Sequence, residues 1–225
     1  MALIFGVALI GITRNDAELS QTLASKKQAP AWVKFDDSHH IMHKKCLFPT
    51  IMISSKDESQ CSTGVVIRSD KVSGVWYNVA VTCCHCVDDE LADYHADIPS
   101  YDDNVRFKKW QRFKGVVYAK DAKTDLAVFL FVTPFPVDVA EVNYDPKLTI
   151  GTPISHVGCG IGGQPRFDTG AITSLNESVK PHPTALYRTS AHTVFGDSGG
   201  PLFHQNKVIG VMQAVNIARF AGLPQ

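Results

Sequence analysis

The sharpest chemical signal in the 225-residue sequence is the run Gly196-Asp197-Ser198-Gly199-Gly200-Pro201. A serine hydroxyl attacks a carbonyl only when a base takes its proton and donors hold the oxyanion that forms. A backbone that turns sharply around a serine can aim two N–H groups at one point, here those of Gly196 and Ser198. Glycine at 196 permits the backbone angles such a turn needs. Gly199 and Gly200 let another strand approach closely behind the nucleophile. A glycine-rich surface turn that happens to hold a serine would explain the glycines. It would not explain why the apolar strand Pro201–Phe203 follows at once.

The base must be one of nine histidines. His85 ends the apolar strand Val79–Thr82 and precedes the acidic turn Asp88, Asp89, Glu90. A histidine at a strand end sits on a rigid scaffold and can still face a cleft, and its ordinary pKa of about 6.5 suits a base near neutrality. His39, His40 and His43 fall in a polar stretch, and His95, His182 and His204 in loops or at strand ends. The third member is a carboxylate. Asp125 directly precedes the run Leu126-Ala127-Val128-Phe129-Leu130-Phe131. A charge at the mouth of so apolar a strand is costly unless paired, and an imidazole N–H would pair it and fix the tautomer. Asp121 is the nearest competitor. Asp88, Asp89, Asp102 and Asp103 lie in acidic, loop-like runs where solvated carboxylates are expected.

The elements that must position these groups read as short strands. Leu47–Ser54, Thr63–Arg68, Gly74–Thr82, Asn104–Phe107, Phe113–Tyr118 and Leu126–Val132 are apolar runs in the first half. Thr152–Val157, Asp168–Leu175, Ala185–Thr189, Pro201–Phe203 and Val208–Val215 continue the theme. Many short strands with few helical windows argue for an all-β sandwich or barrel. The segment Thr133-Pro134-Phe135-Pro136 cannot continue a central strand, because proline lacks the N–H, and so suits a crossing between two halves. The length fits one domain or two tightly packed halves. Basic and acidic residues balance at 22 each. No single-sign field therefore points to nucleic acid or an anionic membrane as the main partner.

The first twelve residues, Met1–Ile12, carry no charged side chain. They are too few to span a bilayer, for which about 18 apolar residues are needed, and fit a signal-peptide core or a buried strand. Ala17–Lys27 reads as a short helix in a polar arm, and residues 31–38 as a strand or loop. The six cysteines are Cys46, Cys61, Cys83, Cys84, Cys86 and Cys159. The group Cys83-Cys84-His85-Cys86 invites a metal reading. Consecutive residues in a strand point to opposite faces, however, so these four are not expected to converge on one ion, and no metal or other cofactor is expected.

Taken together, these residues resemble the chymotrypsin-like serine peptidases. The chain order His, Asp, Ser is theirs, and other serine hydrolase families use other orders. Val81-Thr82-Cys83-Cys84-His85-Cys86 is similar to the family's TAAHC segment, with cysteines for the two alanines. Thr124-Asp125-Leu126-Ala127 resembles its aspartate motif in the form of bacterial and HtrA-type members. Gly196–Pro201 matches the nucleophile motif throughout. Weaker likenesses lie at Ser62–Ile67, Thr169–Ser174 and Val208–Val211. The resemblance covers residues 45–217. It implies an all-β fold of two antiparallel β-barrels with the active site in the cleft between them. Residues 1–44 would be an arm, 45–133 the first barrel with His85 and Asp125, and 134–225 the second with Ser198.

The resemblance also implies finer points. Cys61 and Cys86 match a family disulfide beside the base, with buried free thiols as the rival. Asp197, which pairs with a freshly cut N-terminus in trypsin-like members, has no matching activation site here and is expected to find another cation or polar group. His192 and Thr193 would lie at the base of the primary pocket, with Met212, Gln213, Ala214 and Val215 along its wall. Val215 in place of a glycine implies a shallow pocket for a small or medium aliphatic side chain, and His192 with Thr193 leave an acidic side chain as the rival. The implied function is hydrolysis of protein or peptide substrates through an acyl-enzyme. The alternatives are a self-processing protease cut from a polyprotein and a catalytically silent binding module on the same fold.

Overall fold

The computed structural model describes residues 43–58, 60–87, 93–177 and 186–213. The Met1–Ile12 segment, the Ala17–Lys27 helix, the 31–38 segment, His39, His40, the acidic turn at Asp88–Glu90, His182, Ala214 and Val215 lie outside them. Among the described residues no helix is long and apolar enough to cross a membrane.

Six strands close the first barrel: β1 (Thr50–Ser55), β2 (Cys61–Val72), β3 (Val75–Thr82), β4 (Tyr94–Tyr101), β5 (Phe107–Asp121) and β6 (Leu126–Thr133). All neighbours are antiparallel, in the order β1-β2-β3-β6-β5-β4. The alternation in β6 explains its placement. Ala127, Phe129, Phe131 and Thr133 point inward and are buried. The first three meet Ile51, Ile53, Val66, Ala80, Ala96 and Ile98 in one core. Burying a large apolar side chain of this kind contributes roughly 1.5–3 kcal/mol.

The second half is an incomplete barrel, an open six-stranded sheet in the order β10-β9-β8-β11-β12-β7. Its strands are β7 (Glu141–Val142), β8 (Pro153–Gly158), β9 (Arg166–Glu177), β10 (Leu186–Thr189), β11 (Pro201–His204) and β12 (Lys207–Val211). Only the short β7 runs parallel to its neighbour, β12. The expected all-β, two-barrel architecture is borne out. The proline-bearing segment follows β6 directly.

Several strand boundaries differ from expectation. Residues 43–47 form a helical turn, closed by Phe48 N–H to Lys44 O (3.1 Å) and Thr50 Oγ1 to Cys46 O (2.8 Å), so β1 begins at Thr50 rather than Leu47. Of the run expected at Asn104–Phe107 only Phe107 is in a strand, β5, which takes in all of Phe113–Tyr118. Strand β4 is not among the expected runs, and it carries Asp97 and Pro99. Asp97 is fully buried, and three bonds satisfy it. Arg112 donates through Nε at 2.7 Å and Nη2 at 3.2 Å, and Ser54 Oγ donates at 2.6 Å.

Replacing Arg112 with Ala leaves a buried carboxylate without its cation. A fully buried pair broken this way loses about 3–5 kcal/mol. Arg112 is partly exposed, so water screens part of the loss and about 2–3 kcal/mol is expected. Urea unfolding of Arg112→Ala should show a lower midpoint with an unchanged slope. A midpoint equal to that of the parent chain would refute the role given to this pair.

Candidate active site

The barrel register brings the first two site residues together. Strands β3 and β6 pair with Thr82 opposite Ala127. The chain leaving β3 and the chain entering β6 therefore emerge side by side. His85 stands three residues after Thr82, in the tight 3-10 turn Cys84–Cys86, and Asp125 one residue before β6. His85 Nδ1 lies 2.7 Å from Asp125 Oδ2, and His85 N–H donates to Asp125 Oδ1 at 2.9 Å. Cys84 N–H donates to Asp125 O at 3.1 Å. Asp125 holds a positive φ of 52°, unusual for a non-glycine residue. Three bonds from one turn keep it there. The competitor Asp121 is exposed and instead accepts from Thr124 Oγ1 (2.9 Å).

Ser198 precedes β11, which lies between β8 and β12 in the second sheet. Its loop is held by backbone bonds whose directions can be followed. Phe195 O accepts from Ile161 N–H (2.7 Å) and Asp197 O from Gly200 N–H (2.9 Å). In a trans peptide the N–H points opposite the carbonyl. The N–H groups of Gly196 and Ser198 are thus turned away from those partners, and neither has a backbone acceptor among the described residues. Gly196 and Gly199 hold φ of 93° and 83°. A Cβ on Gly199 would stand 2.1 Å from both Thr63 O and Thr82 Oγ1. The first barrel does press against the Ser198 loop there, as the glycines suggest.

His85 and Ser198 face one cleft of about 310 Å³, together with Cys61, Cys86, Ile161 and Phe195. Among the described residues no direct hydrogen bond joins the Ser198 and His85 side chains. Ile161 and Phe195 are 81% and 69% exposed, so the cleft has an apolar flank. Larger grooves, of about 460 and 450 Å³, lie on other faces and hold none of these side chains.

The electrostatics of the site are uneven. His85 is held well above the ordinary imidazole pKa, chiefly by its bond to Asp125 and next by Cys86. The Cys86 thiol is drawn down to about 6, first by a hydrogen bond from Cys83, then by His85, against its burial. Asp197 is fully buried. Burial opposes its charge, but the facing His156 ring, Val194 N–H and Arg166 outweigh that and hold it below the usual carboxylate range. Arg166 Nη2 stands 2.9 Å from Asp197 Oδ2, and Val194 N–H donates to the same oxygen at 2.8 Å. Arg166 is the cation that the sequence left unnamed. It comes from β9, 31 residues away in the chain.

Other expectations need correction. Cys61 and Cys86 are free thiols, not a disulfide, and the Cys86 sulfur instead meets Cys83 and His85. The argument that Cys83–Cys86 cannot converge assumed a strand. The 3-10 turn brings the ligand atoms of Cys83, His85 and Cys86 within 4.8 Å of one another. At the expected specificity pocket, His192 is exposed and its carbonyl accepts from Arg166 (3.3 Å), while Thr193 is buried. Met212 and Gln213 are both buried. Met212 O accepts from Gly199 N–H (2.7 Å) and Cys83 Sγ (2.8 Å), and Gln213 Nε2 donates to Thr124 O at 2.6 Å. These two residues thus brace the site, and the wall expected at Ala214 and Val215 lies outside the described residues. Phe195 and Ile161 were missed. An apolar residue inside a glycine-rich loop was the signal available for Phe195.

A barrel, a half-barrel and a His–Asp pair facing a serine across a cleft define the two-barrel serine hydrolase architecture. Residues 62–211 match the family described as "Trypsin-like peptidase domain", and the chain belongs to that family. It is 28% identical over 179 residues to "Serine protease Do-like HtrA" of Lactococcus lactis subsp. cremoris (strain MG1363), covering 74% of this chain and 42% of that protein. It is 28% identical over 156 residues to "Putative protease Do-like 14" of Arabidopsis thaliana, covering 66% of this chain and 34% of that one. The chain thus spans less than half the length of these relatives. A solved structure titled "Crystal structure of Deg5" shares the fold, with a TM-score of 0.64 at 18% identity over 83% of this chain and 90% of that one.

Two outcomes follow from this geometry. Arg166→Met removes the cation from a buried carboxylate that shapes the Ser198 loop. Peptide hydrolysis should lose at least about tenfold in kcat with a smaller change in KM, and Arg166→Lys should recover part of it; equal kinetics in all three would refute the role. On the assignment of His85 as base made below, its raised pKa moves the acid limb of kcat/KM upward. The midpoint should lie above the ordinary value of about 6.5, and a midpoint at or below it would contradict the geometry.

Proposed function

We propose that the chain is a serine endopeptidase with Ser198 as nucleophile, His85 as general base and Asp125 as the group that orients it. The observation that carries this is the 2.7 Å His85–Asp125 pair facing Ser198 across the cleft. Ser198 Oγ attacks the carbonyl of a bound peptide while His85 Nε2 takes its proton. Asp125 holds Nδ1–H and stabilises the imidazolium. The N–H groups of Gly196 and Ser198 receive the oxyanion, and one such donor accounts for about 3–4 kcal/mol in related chemistry. His85 then protonates the leaving amine, and water releases the acyl group by the reverse steps. The Ser198–His85 contact need not be closed before substrate arrives, since catalytic hydrogen bonds often tighten only in the complex.

The substrates are proteins or peptides that lie in an extended form along the cleft. The relatives named as Do-like proteases support this class. No acidic residue stands at His192 or Thr193, so a basic P1 side chain is disfavoured. The apolar flank of Ile161 and Phe195 favours uncharged residues near the scissile bond.

A fluorophosphonate probe tests the assignment. Labelling should map to Ser198 in the parent chain, vanish in Ser198→Ala and fall by at least about a hundredfold in rate in His85→Ala. No labelling of folded parent chain would favour the silent-module reading. Labelling with a single self-cleavage and no turnover of added peptides would favour the self-processing one.

A further inference from the structure

The proposed hydrolysis uses His85 but leaves the two sulfurs beside it without a task. Cys83 and Cys86 are also where the chain departs from the plain TAAHC-like pattern or loses the expected bridge. The ligand atoms of Cys83, His85 and Cys86 lie within 4.8 Å of one another, and among the described residues no other group of three such side chains does. Around a tetrahedral zinc, with bonds of about 2.0–2.3 Å, ligand atoms stand about 3.3–3.8 Å apart. The three need to close by only about 1 Å, within the reach of small χ adjustments in a turn.

We infer that Cys83, His85 and Cys86 form a site for a thiophilic divalent cation such as Zn²⁺, which holds the catalytic base and silences the enzyme reversibly. Two thiolates and one imidazole are a borderline-soft donor set that selects zinc or cadmium over calcium or magnesium. Two thiolate charges neutralise the ion, which suits the buried side of the cluster at Cys83.

The orientation of His85 fits as well. Its Nδ1 is committed to Asp125 at 2.7 Å, which leaves Nε2 to bind. A ligating histidine commonly gives its other nitrogen to a carboxylate, which fixes the tautomer and raises its basicity. The Asp125–His85 pair is thus built as a carboxylate–histidine–metal arrangement. The fourth position opens on the cleft shared with Ser198 and Cys61 and would take solvent. An ion on Nε2 occupies the lone pair that must take the Ser198 proton. This inhibition rests on the function proposed above, whereas the binding does not.

The test uses the full chain, reduced with a phosphine and freed of metal by a chelator. Co²⁺ added to it should produce near-ultraviolet thiolate-to-cobalt absorption, and competition with Zn²⁺ should give one site per chain. Cys83→Ala and Cys86→Ala should each weaken zinc binding by at least about a hundredfold and abolish that absorption. Cys46→Ala, outside the cluster, should bind as the parent does and controls for folding and for adventitious thiol binding. Peptidase activity of the parent should fall at least tenfold at saturating zinc and return with chelator.

No thiolate absorption in the reduced parent, or equal zinc affinity in the parent and both cluster variants, would overturn the site. Full activity at saturating zinc would overturn the inhibition. Cobalt–thiolate absorption in a metal-free protein that never hydrolyses peptides would support the site and count against the hydrolase reading alone.

Discussion

The two halves of this molecule meet at Thr63, and the site depends on how fully that residue is bonded. Its N–H donates to Ser198 O at 2.9 Å, and its Oγ1 donates to Gly196 O at 2.7 Å. The same oxygen accepts from Cys159 N–H at 2.9 Å, and its carbonyl accepts from Thr82 Oγ1 at 2.7 Å. Thr63 lies on β2, which pairs with the strand that leads to His85. One buried residue thus fixes the Ser198 loop against the barrel that carries His85. Each of these bonds is worth only about 1 kcal/mol net, but leaving a buried partner unmade costs about 1–3 kcal/mol. The penalty for loosening, more than the gain of forming, keeps the halves in register.

Three buried aspartates show how the fold uses charge. Asp97 meets Arg112 and a serine hydroxyl and closes a barrel wall. Asp197 meets Arg166 and a backbone N–H and shapes the loop that presents Gly196 and Ser198. Among the described residues the Asp125 carboxylate meets no permanent cation, only the His85 imidazole and the backbone N–H of His85. That difference is chemical. A guanidinium stays charged throughout, so Asp97 and Asp197 are fixed structural anions. The imidazole of His85 can change charge, so Asp125 rewards its protonation.

The sequence made the local parts of the site legible. The Ser198 hexapeptide and the charge at the mouth of β6 are short-range patterns, and the barrel register Thr82–Ala127 converts them into proximity. Parts that depend on distant pairing were not legible. Arg166 looks like any charged residue at a strand start until β9 folds past the nucleophile loop. Strand β4 carries Asp97 and Pro99, and both argue against a strand until Arg112 and a barrel position that spares the proline are supplied. The cysteine cluster was misjudged because its argument assumed a period of two. A single turn of 3-10 helix places residues three apart on one side, and Cys83 and Cys86 are three apart.

That turn follows from the demands of the site itself. His85 must leave the β3 direction sharply to reach Asp125, because Asp125 sits beside the end of the same strand pair. The bends that achieve this are the bonds Cys86 N–H to Cys83 O (3.3 Å) and Val87 N–H to Cys84 O (3.0 Å). They necessarily bring side chain 86 back over side chain 83. Alanine at 83 would make that closeness chemically inert. A thiol there, braced on Met212 O at 2.8 Å, turns the same closeness into a sulfur pair beside the base. The geometry that orients His85 against Asp125 therefore also decides which side chains stand beside it.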